Sequence, residues 1–242
     1  MRSFITLFFV LTTLFVAGQI STDRPTQSFS PFSMPAGKVQ LESGFASERP
    51  QSKVDYYNVT YVNALVRAGI TKGFELRVTQ NYLGERTLGA GDNGWSATSL
   101  GTKIQLIEEK DLLPQIAVIG TYSFAGGSGN FYAGQGVTDI RFLFRNNLSD
   151  RVSLDYNVGS VWDGEMTTGI YTLCLGFSAT DKLGIFLEPY GFFAKNTPSD
   201  HRFNTGFTYL VTDNFQLDGS IGNGLVSRSP DYFMAFGASI LF

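Results

Sequence analysis

From Lys38 onward one feature governs what this chain can become: apolar residues recur at every second position, in run after run, with no competing stripe of helical period. Side chains of an extended strand point alternately to its two faces, so each run is a strand with one apolar face. The C-terminus is the clearest case, where Tyr232, Met234, Phe236, Ala238, Ile240 and Phe242 alternate with Phe233, Ala235, Gly237, Ser239 and Leu241. Val152, Leu154, Tyr156 and Val158 stand in the same way against Ser153, Asp155, Asn157 and Gly159. Ile140, Phe142 and Phe144 stand against Asp139, Arg141 and Arg145, and Phe74, Leu76 and Val78 against Glu75, Arg77 and Thr79. The expected class is all-β.

Two kinds of connector take turns between the runs. Short ones fall at 70–73, 108–113, 148–151, 180–182 and 212–214, and longer Gly-, Ser- and Asn-rich ones at 47–54, 83–96, 125–136, 163–165, 195–200 and 222–229. The turn residues Asp150, Asp181 and Asp213 are 31 and 32 residues apart. That spacing marks a repeat of two antiparallel strands with one short and one long connector. A propeller would also repeat, but the Trp162-Asp163 pair stands alone. The strands fall near 38–46, 56–68, 74–82, 97–107, 114–124, 137–146, 152–162, 166–179, 183–194, 202–210, 215–222 and 231–242, about 12 in all.

An even strand number, short turns on one rim and long loops on the other predict an antiparallel transmembrane β-barrel of a bacterial outer membrane. In lipid every backbone polar group must be paired within the protein, so a sheet must close, with its apolar face outward and its mixed face around the lumen. A secreted β-sandwich alternates too, but it would bury the Arg, Glu and Asp of these strands only with its faces reversed. The 27 Gly, 22 Phe and 11 Tyr suit strands and turns and exclude disorder. With 18 basic against 21 acidic residues the chain lacks the basic surplus of a nucleic-acid binder. The chain begins with a cationic residue, Arg2, an apolar run from Phe4 to Val16 and the small residues Ala17 and Gly18. That is the pattern of a secretory signal peptide over residues 1–19, the run being too short for a spanning helix.

The alternation places Glu42, Arg67, Glu75, Arg77, Lys103, Asp139, Arg141, Arg145, Asp155, Glu188 and Asp218 inside. Unpaired ions in a narrow lumen are costly, so these charges are expected to pair across strands, either as a selectivity constriction or as a structural filling that keeps the barrel shut. Residues 20–37 precede the barrel of 38–242, and Pro25, Pro31 and Pro35 keep them out of helix and central strand. This periplasmic segment either hangs as a loose tail or tucks into the barrel mouth as a plug with Asp23, Arg24 and Pro25 meeting lumen charges, and its short, non-repetitive, partly aromatic sequence favours the second.

No catalytic set, metal site or cofactor site is expected. Cys174 is the only cysteine, Gly126, Gly127 and Gly129 lack the Lys-Ser/Thr of a phosphate loop, and no Cys/His cluster is present. His201, the only histidine, has Ser199, Asp200 and Asn204 beside it, the residue types of a hydrolase triad but also of any polar loop. Trp95, Tyr122, Phe131, Tyr132 and Trp162 fall near strand ends on the long-loop side, as an interfacial aromatic girdle would.

The opening Thr22-Asp23-Arg24-Pro25, then Ser30-Pro31-Phe32, Met34-Pro35-Ala36-Gly37-Lys38 and Val39 to Phe45, resembles that of an outer-membrane transporter family named for a meta-pathway of phenol degradation. The Thr-Asp turns at 180–183 and 212–215 and the run Phe186-Leu187-Glu188-Pro189-Tyr190-Gly191 are similar to that family's later hairpins. The resemblance implies a channel for small, often hydrophobic compounds, with no catalytic residues. A structural or surface-binding barrel with a closed lumen is the alternative. Phe242 with Ile240, Ala238 and Phe236 resembles the signal read by the outer-membrane insertion machinery. Outer-membrane lipid, a small solute and that machinery are the expected partners.

Overall fold

The computed structural model describes residues 20–51, 55–87 and 90–242; the expected signal peptide, 1–19, lies outside the described residues. The strands are β1 (Val39–Arg49), β2 (Tyr57–Thr71), β3 (Phe74–Thr87), β4 (Ala90–Trp95), β5 (Ser99–Ile107), β6 (Gln115–Ser123), β7 (Val137–Ser149), β8 (Val152–Trp162), β9 (Thr167–Ser178), β10 (Leu183–Ala194), β11 (Thr197–Thr212), β12 (Phe215–Gly224) and β13 (Tyr232–Leu241). All pairings are antiparallel. β1 pairs with β2 and β13, and β3 with β2 and β5, so twelve of the thirteen strands close into a ring and β4 hangs from β3 alone.

Closure leaves no sheet edge around the wall, the condition for a sheet to stand in lipid. The faces are inverted relative to a protein that folds in water. Leu76, Leu100, Ile140, Phe142, Leu187 and Phe207 are exposed on the outside, whereas Gln40, Glu42, Arg67, Glu75, Lys103, Asn157 and Glu188 are 0% exposed on the inside. An apolar belt around a polar interior fits a bilayer and would be insoluble in water.

Two connectors differ from the sequence expectation. Within the stretch 83–96, β3 runs on to Thr87 and β4 runs back from Ala90, with Tyr82 opposite Trp95 and Thr87 opposite Ala90. Its Gly and Asn residues read as loop chemistry, yet the two arms satisfy each other's backbone groups. Between β10 and β11 the turn is only Lys195 and Asn196, with Asn196 in the left-handed region at φ 59°, so β11 already begins at Thr197 and His201 lies on a strand.

The short turns share one rim with both ends of the wall, where the Phe242 amide donates to the Val39 carbonyl at 2.8 Å. The opposite rim carries residues 50–51 and 55–56, the arms of β3 and β4, the 124–136 loop with a 3-10 turn at Gly129–Phe131, and 225–231. Register also prepares the interior. Gly44 on β1 faces Gly237 on β13, which faces Asp218 on β12. A Cβ at either glycine would overlap the Arg24 guanidinium, so the pair makes a groove that leads that side chain to Asp218.

Candidate functional site in the barrel lumen

Residues 20–38 run around the inside of the ring and touch most of the wall. The segment starts near β1 and β2, where the Ser21 carbonyl accepts from Arg67 Nη1 at 2.6 Å, and passes β12, where Thr22 Oγ1 accepts from Gln216 Nε2 at 2.9 Å. At β10 the Gln27 and Ser28 amides donate to Glu188 Oε1 at 2.9 and 2.6 Å, and at β8 the Phe29 amide donates to Asn157 Oδ1 at 2.6 Å. It returns over β5, where Lys103 Nζ donates to the Ser30 carbonyl at 2.8 Å, and β3, where the Met34 amide donates to Glu75 Oε2 at 2.7 Å. It leaves beside Gly69, whose carbonyl accepts from the Gly37 amide at 2.8 Å; a side chain at Gly69 would collide with the Pro35 carbonyl. Proline-interrupted backbone cannot satisfy its own amides, so wall carboxylates and amides supply the acceptors.

The ions follow an arithmetic that the segment completes. On β2 and β3 Arg67 and Arg77 stand directly opposite each other, and Lys103 on β5 stands opposite Glu75. Glu75 Oε1 bridges the guanidiniums at 2.8 Å to each, and Glu42 Oε1 takes Arg67 at 2.9 Å. The wall alone therefore holds three cations against two carboxylates. Asp23 brings the third, 2.6 Å from Arg77, 3.3 Å from Lys103 and 3.8 Å from Arg67. Burial works against the Asp23 charge, but Arg67, Arg77 and Lys103 outweigh it and hold this carboxyl well below the usual carboxylate range. Two strands round the wall from β1 the signs reverse: Asp218 on β12 is a wall carboxylate, and Arg24 of the segment answers it at 3.2 Å.

The other inward charges lie on the less buried side. Arg141 pairs with Asp139 at 2.6 Å and Arg145 with Asp155 at 3.0 Å. Phe29 of the segment packs on a small apolar patch of Ala117, Ile119 and Leu143, with the guanidiniums of Arg141 and Arg77 4.8 and 5.6 Å from its ring centre. Arg145 sits 5.3 Å from the Phe32 ring centre. Of the expected inward charges, Glu42, Glu75, Arg67, Arg77, Lys103, Glu188 and Asp218 contact the segment directly, and Asp23 and Arg24 both meet wall ions. Pro25 meets none and borders the cavity above.

Between the segment and the long-loop rim lies a cavity of about 410 Å³. Its floor includes Pro25 and Gln27, and its walls include Tyr190, Phe233, Val59, Leu83, Asn204, Glu48 and Arg202. Phe131, expected in the aromatic girdle, turns inward to border this cavity, whereas Trp95, Tyr122, Tyr132 and Trp162 are exposed. The sequence alone gives no lumen role to Gln40, Glu48 or Arg202, and it sets Asp200 and Asn204 beside His201 as loop residues rather than on the cavity side of β11. Gln40 and Asn157 were signalled by parity alone, each two residues from an inward carboxylate.

The His201 ring does not meet a serine: its Nδ1 lies 2.9 Å from the Tyr171 hydroxyl, while Ser229 Oγ donates to Asp200 Oδ1 at 2.6 Å. Cys174 is a buried free thiol. Among the described residues no group of His, Cys, Asp and Glu is arranged to hold a metal ion.

A profile of the family described as "Putative MetA-pathway of phenol degradation" matches residues 22–242. A search of curated protein sequences returns no match. Among solved structures, an outer-membrane channel from Pseudomonas putida F1 aligns over 87% of this chain and 97% of its own with a TM-score of 0.69 at 11% identity. The KdgM porin in complex with disordered oligogalacturonate aligns over 85% and 99%, with a TM-score of 0.58 at 12% identity. The CymD monoaromatic hydrocarbon channel aligns over 86% and 88%, with a TM-score of 0.51 at 11% identity. At these identities the likeness is one of fold, that of outer-membrane barrels.

Proposed function

The chain belongs to the family described as "Putative MetA-pathway of phenol degradation", and from that premise we propose that it is an outer-membrane channel for passive passage of small, apolar molecules, exported through a cleaved signal peptide over residues 1–19. The observation that carries the reading is a closed, lipid-suited wall around a lumen that, among the described residues, is filled by a peptide segment held by hydrogen bonds and ion pairs, with a cavity above it. Solute enters the cavity from the long-loop rim, and residues 20–37 act as the plug whose displacement opens the way to the short-turn rim. A concentration difference drives the flux, so no cofactor and no catalysis are needed. Asp139, Arg141 and Arg145 on the less buried side line the path and set its selectivity. CymD, by its name a channel for monoaromatic hydrocarbons, supports apolar cargo on this fold. Phe242 serves as the handle for the insertion machinery.

A second reading, a closed barrel whose outer loops bind ligand, draws on the complete burial of Glu42, Arg67, Glu75 and Lys103 beneath the segment. Uptake of graded solutes, polar to aromatic, into liposomes holding the refolded protein separates the two, with heat-modifiable gel mobility as proof of a folded barrel. Entry of the less polar solutes supports the channel. No entry for any solute, by wild type and by the protein with Arg141 and Arg145 neutralised, leaves only the closed barrel.

A further inference from the structure

Toward the long-loop rim, the outer wall from β13 to β3 ends in a row unlike the apolar belt below it. Arg49 on β1 stands opposite Tyr232 on β13, and Arg86 on β3 stands opposite Tyr57 on β2. Glu48 opposite Asn58 joins the two halves in register, so Tyr232, Arg49, Tyr57 and Arg86 follow one another across four strands at one height. They point outward, because Phe236 on β13, Phe45 on β1 and Val78 on β3 have the same parity and are exposed.

Beneath the row lies an aromatic shelf. Tyr61, the extra residue where the β2 register shifts, lays its ring over Gly84, where a Cβ would overlap it. The Tyr61, Tyr82 and Trp95 rings then follow at 5.9 and 4.9 Å between centres. Such rings settle at the edge of the hydrocarbon layer. Arg86 is four residues beyond Tyr82 on β3. At a rise of about 3.4 Å per residue and a tilt of about 40°, that carries it roughly 10 Å farther out, to the depth of the headgroups.

Arg86 is held there with its charge unspent. Its guanidinium lies over the Tyr61 ring, 5.4 Å from the centre, and Nε donates to the Tyr61 hydroxyl. Gly91 opposite leaves it room, since a Cβ there would come 2.9 Å from Cδ. The side chain is exposed, and among the described residues no carboxylate pairs with it. Glu85 and Asp92, the acids of β3 and β4, have the opposite parity, and Asp92 accepts from Asn130 of the neighbouring loop. Arg49 is partly answered by Asp231 at 3.5 Å, and Asp55, in the connector before β2, pairs with neither arginine. A guanidinium oriented by a ring and free at its outer nitrogens is a receptor for phosphate oxygens.

We propose that this face binds the phosphate-bearing headgroup of an outer-leaflet lipid, with Arg86 as the main contact and Arg49 as a weaker one. The occupant is a lipid because the row continues the lipid-facing surface of the wall, and the site stands whether or not the lumen conducts. The chain has two tryptophans, Trp95 in the shelf and Trp162 on β8, four strands from β3, so replacing either by Phe leaves the other as a local reporter. The full chain is refolded into phosphatidylcholine vesicles containing either brominated-chain phosphatidic acid or the same amount of brominated-chain phosphatidylcholine, and fluorescence quenching is measured. At Trp95 phosphatidic acid is preferred about fivefold, the value of one arginine at an anionic surface, and at Trp162 the two lipids quench alike. Arg86→Gln removes most of the preference and Arg49→Gln a smaller part, in barrels that keep heat-modifiable mobility. Equal quenching at Trp95, the same preference at Trp162, or a preference that survives Arg86→Gln overturns the site. Inorganic phosphate at the concentration of the accessible lipid leaves the preference in place; its loss there makes free phosphate the better ligand and overturns the lipid assignment.

Discussion

The two ends of the lumen use the same inward-facing strand positions and reach opposite results. Toward the short-turn rim Arg67, Glu75 and Lys103 are locked into a fully buried ion cluster by residues 20–38. Toward the long-loop rim Tyr190, Phe233, Glu48 and Arg202 surround a cavity. The wall does not make this difference by itself; the segment does, by bringing Asp23 to a cationic wall and Arg24 to an anionic one. A barrel of this size is sealed or hollow according to what a few residues outside its strands supply.

Removing residues 20–34 is the strongest way to break the contrast. The lower lumen should become as hollow as the upper, and small-solute uptake into liposomes should rise more than for any point change. Arg67→Met should come next, since it strands Glu42 in a buried site and leaves Glu75 with Arg77 alone of its two guanidiniums; about 3–5 kcal/mol of stability is expected to go, read from urea unfolding followed by gel mobility. Asp23→Asn keeps the segment's shape but leaves three cations facing two carboxylates, and should lower stability by about 1–3 kcal/mol while uptake rises toward the deletion's level. Phe29→Ala removes the segment's apolar contact with Ala117, Ile119 and Leu143, for a loss of about 2 kcal/mol, less than a fully buried Phe would give. Phe142→Leu on the lipid face should change unfolding by no more than about 0.5 kcal/mol and uptake not at all, which sharpens the contrast by showing that the interior sets it.

Parity made the fold and the inward charges readable in the sequence, because a two-residue period depends only on which way each side chain points. Glu42, Arg67 and Lys103 could be placed inside from their neighbours alone. Their partners could not. That Asp23 would meet three cations and Arg24 would lie in a Gly44–Gly237 groove depends on register and on the path of an irregular segment, neither of which has a period. Gly and Asn misled in the other direction: at 83–96 and 195–200 they read as open loop, but a hairpin and a two-residue turn use the same residues. Phe131 shows the limit for aromatics, since position near a strand end does not say whether a ring turns toward lipid or toward the cavity.

The segment's contacts are distant in the chain: Gln27 meets Glu188 across 161 residues and Arg24 meets Asp218 across 194. The seam that closes the wall is of the same kind, with Gln40 of β1 opposite Leu241 of β13. Contacts of such separation carry a larger closure entropy than a local hairpin. Ring closure and the seating of the segment are thus the two long-range joins of the molecule, and a wall without its segment holds Asp218 unanswered and one uncompensated cation beside Glu75.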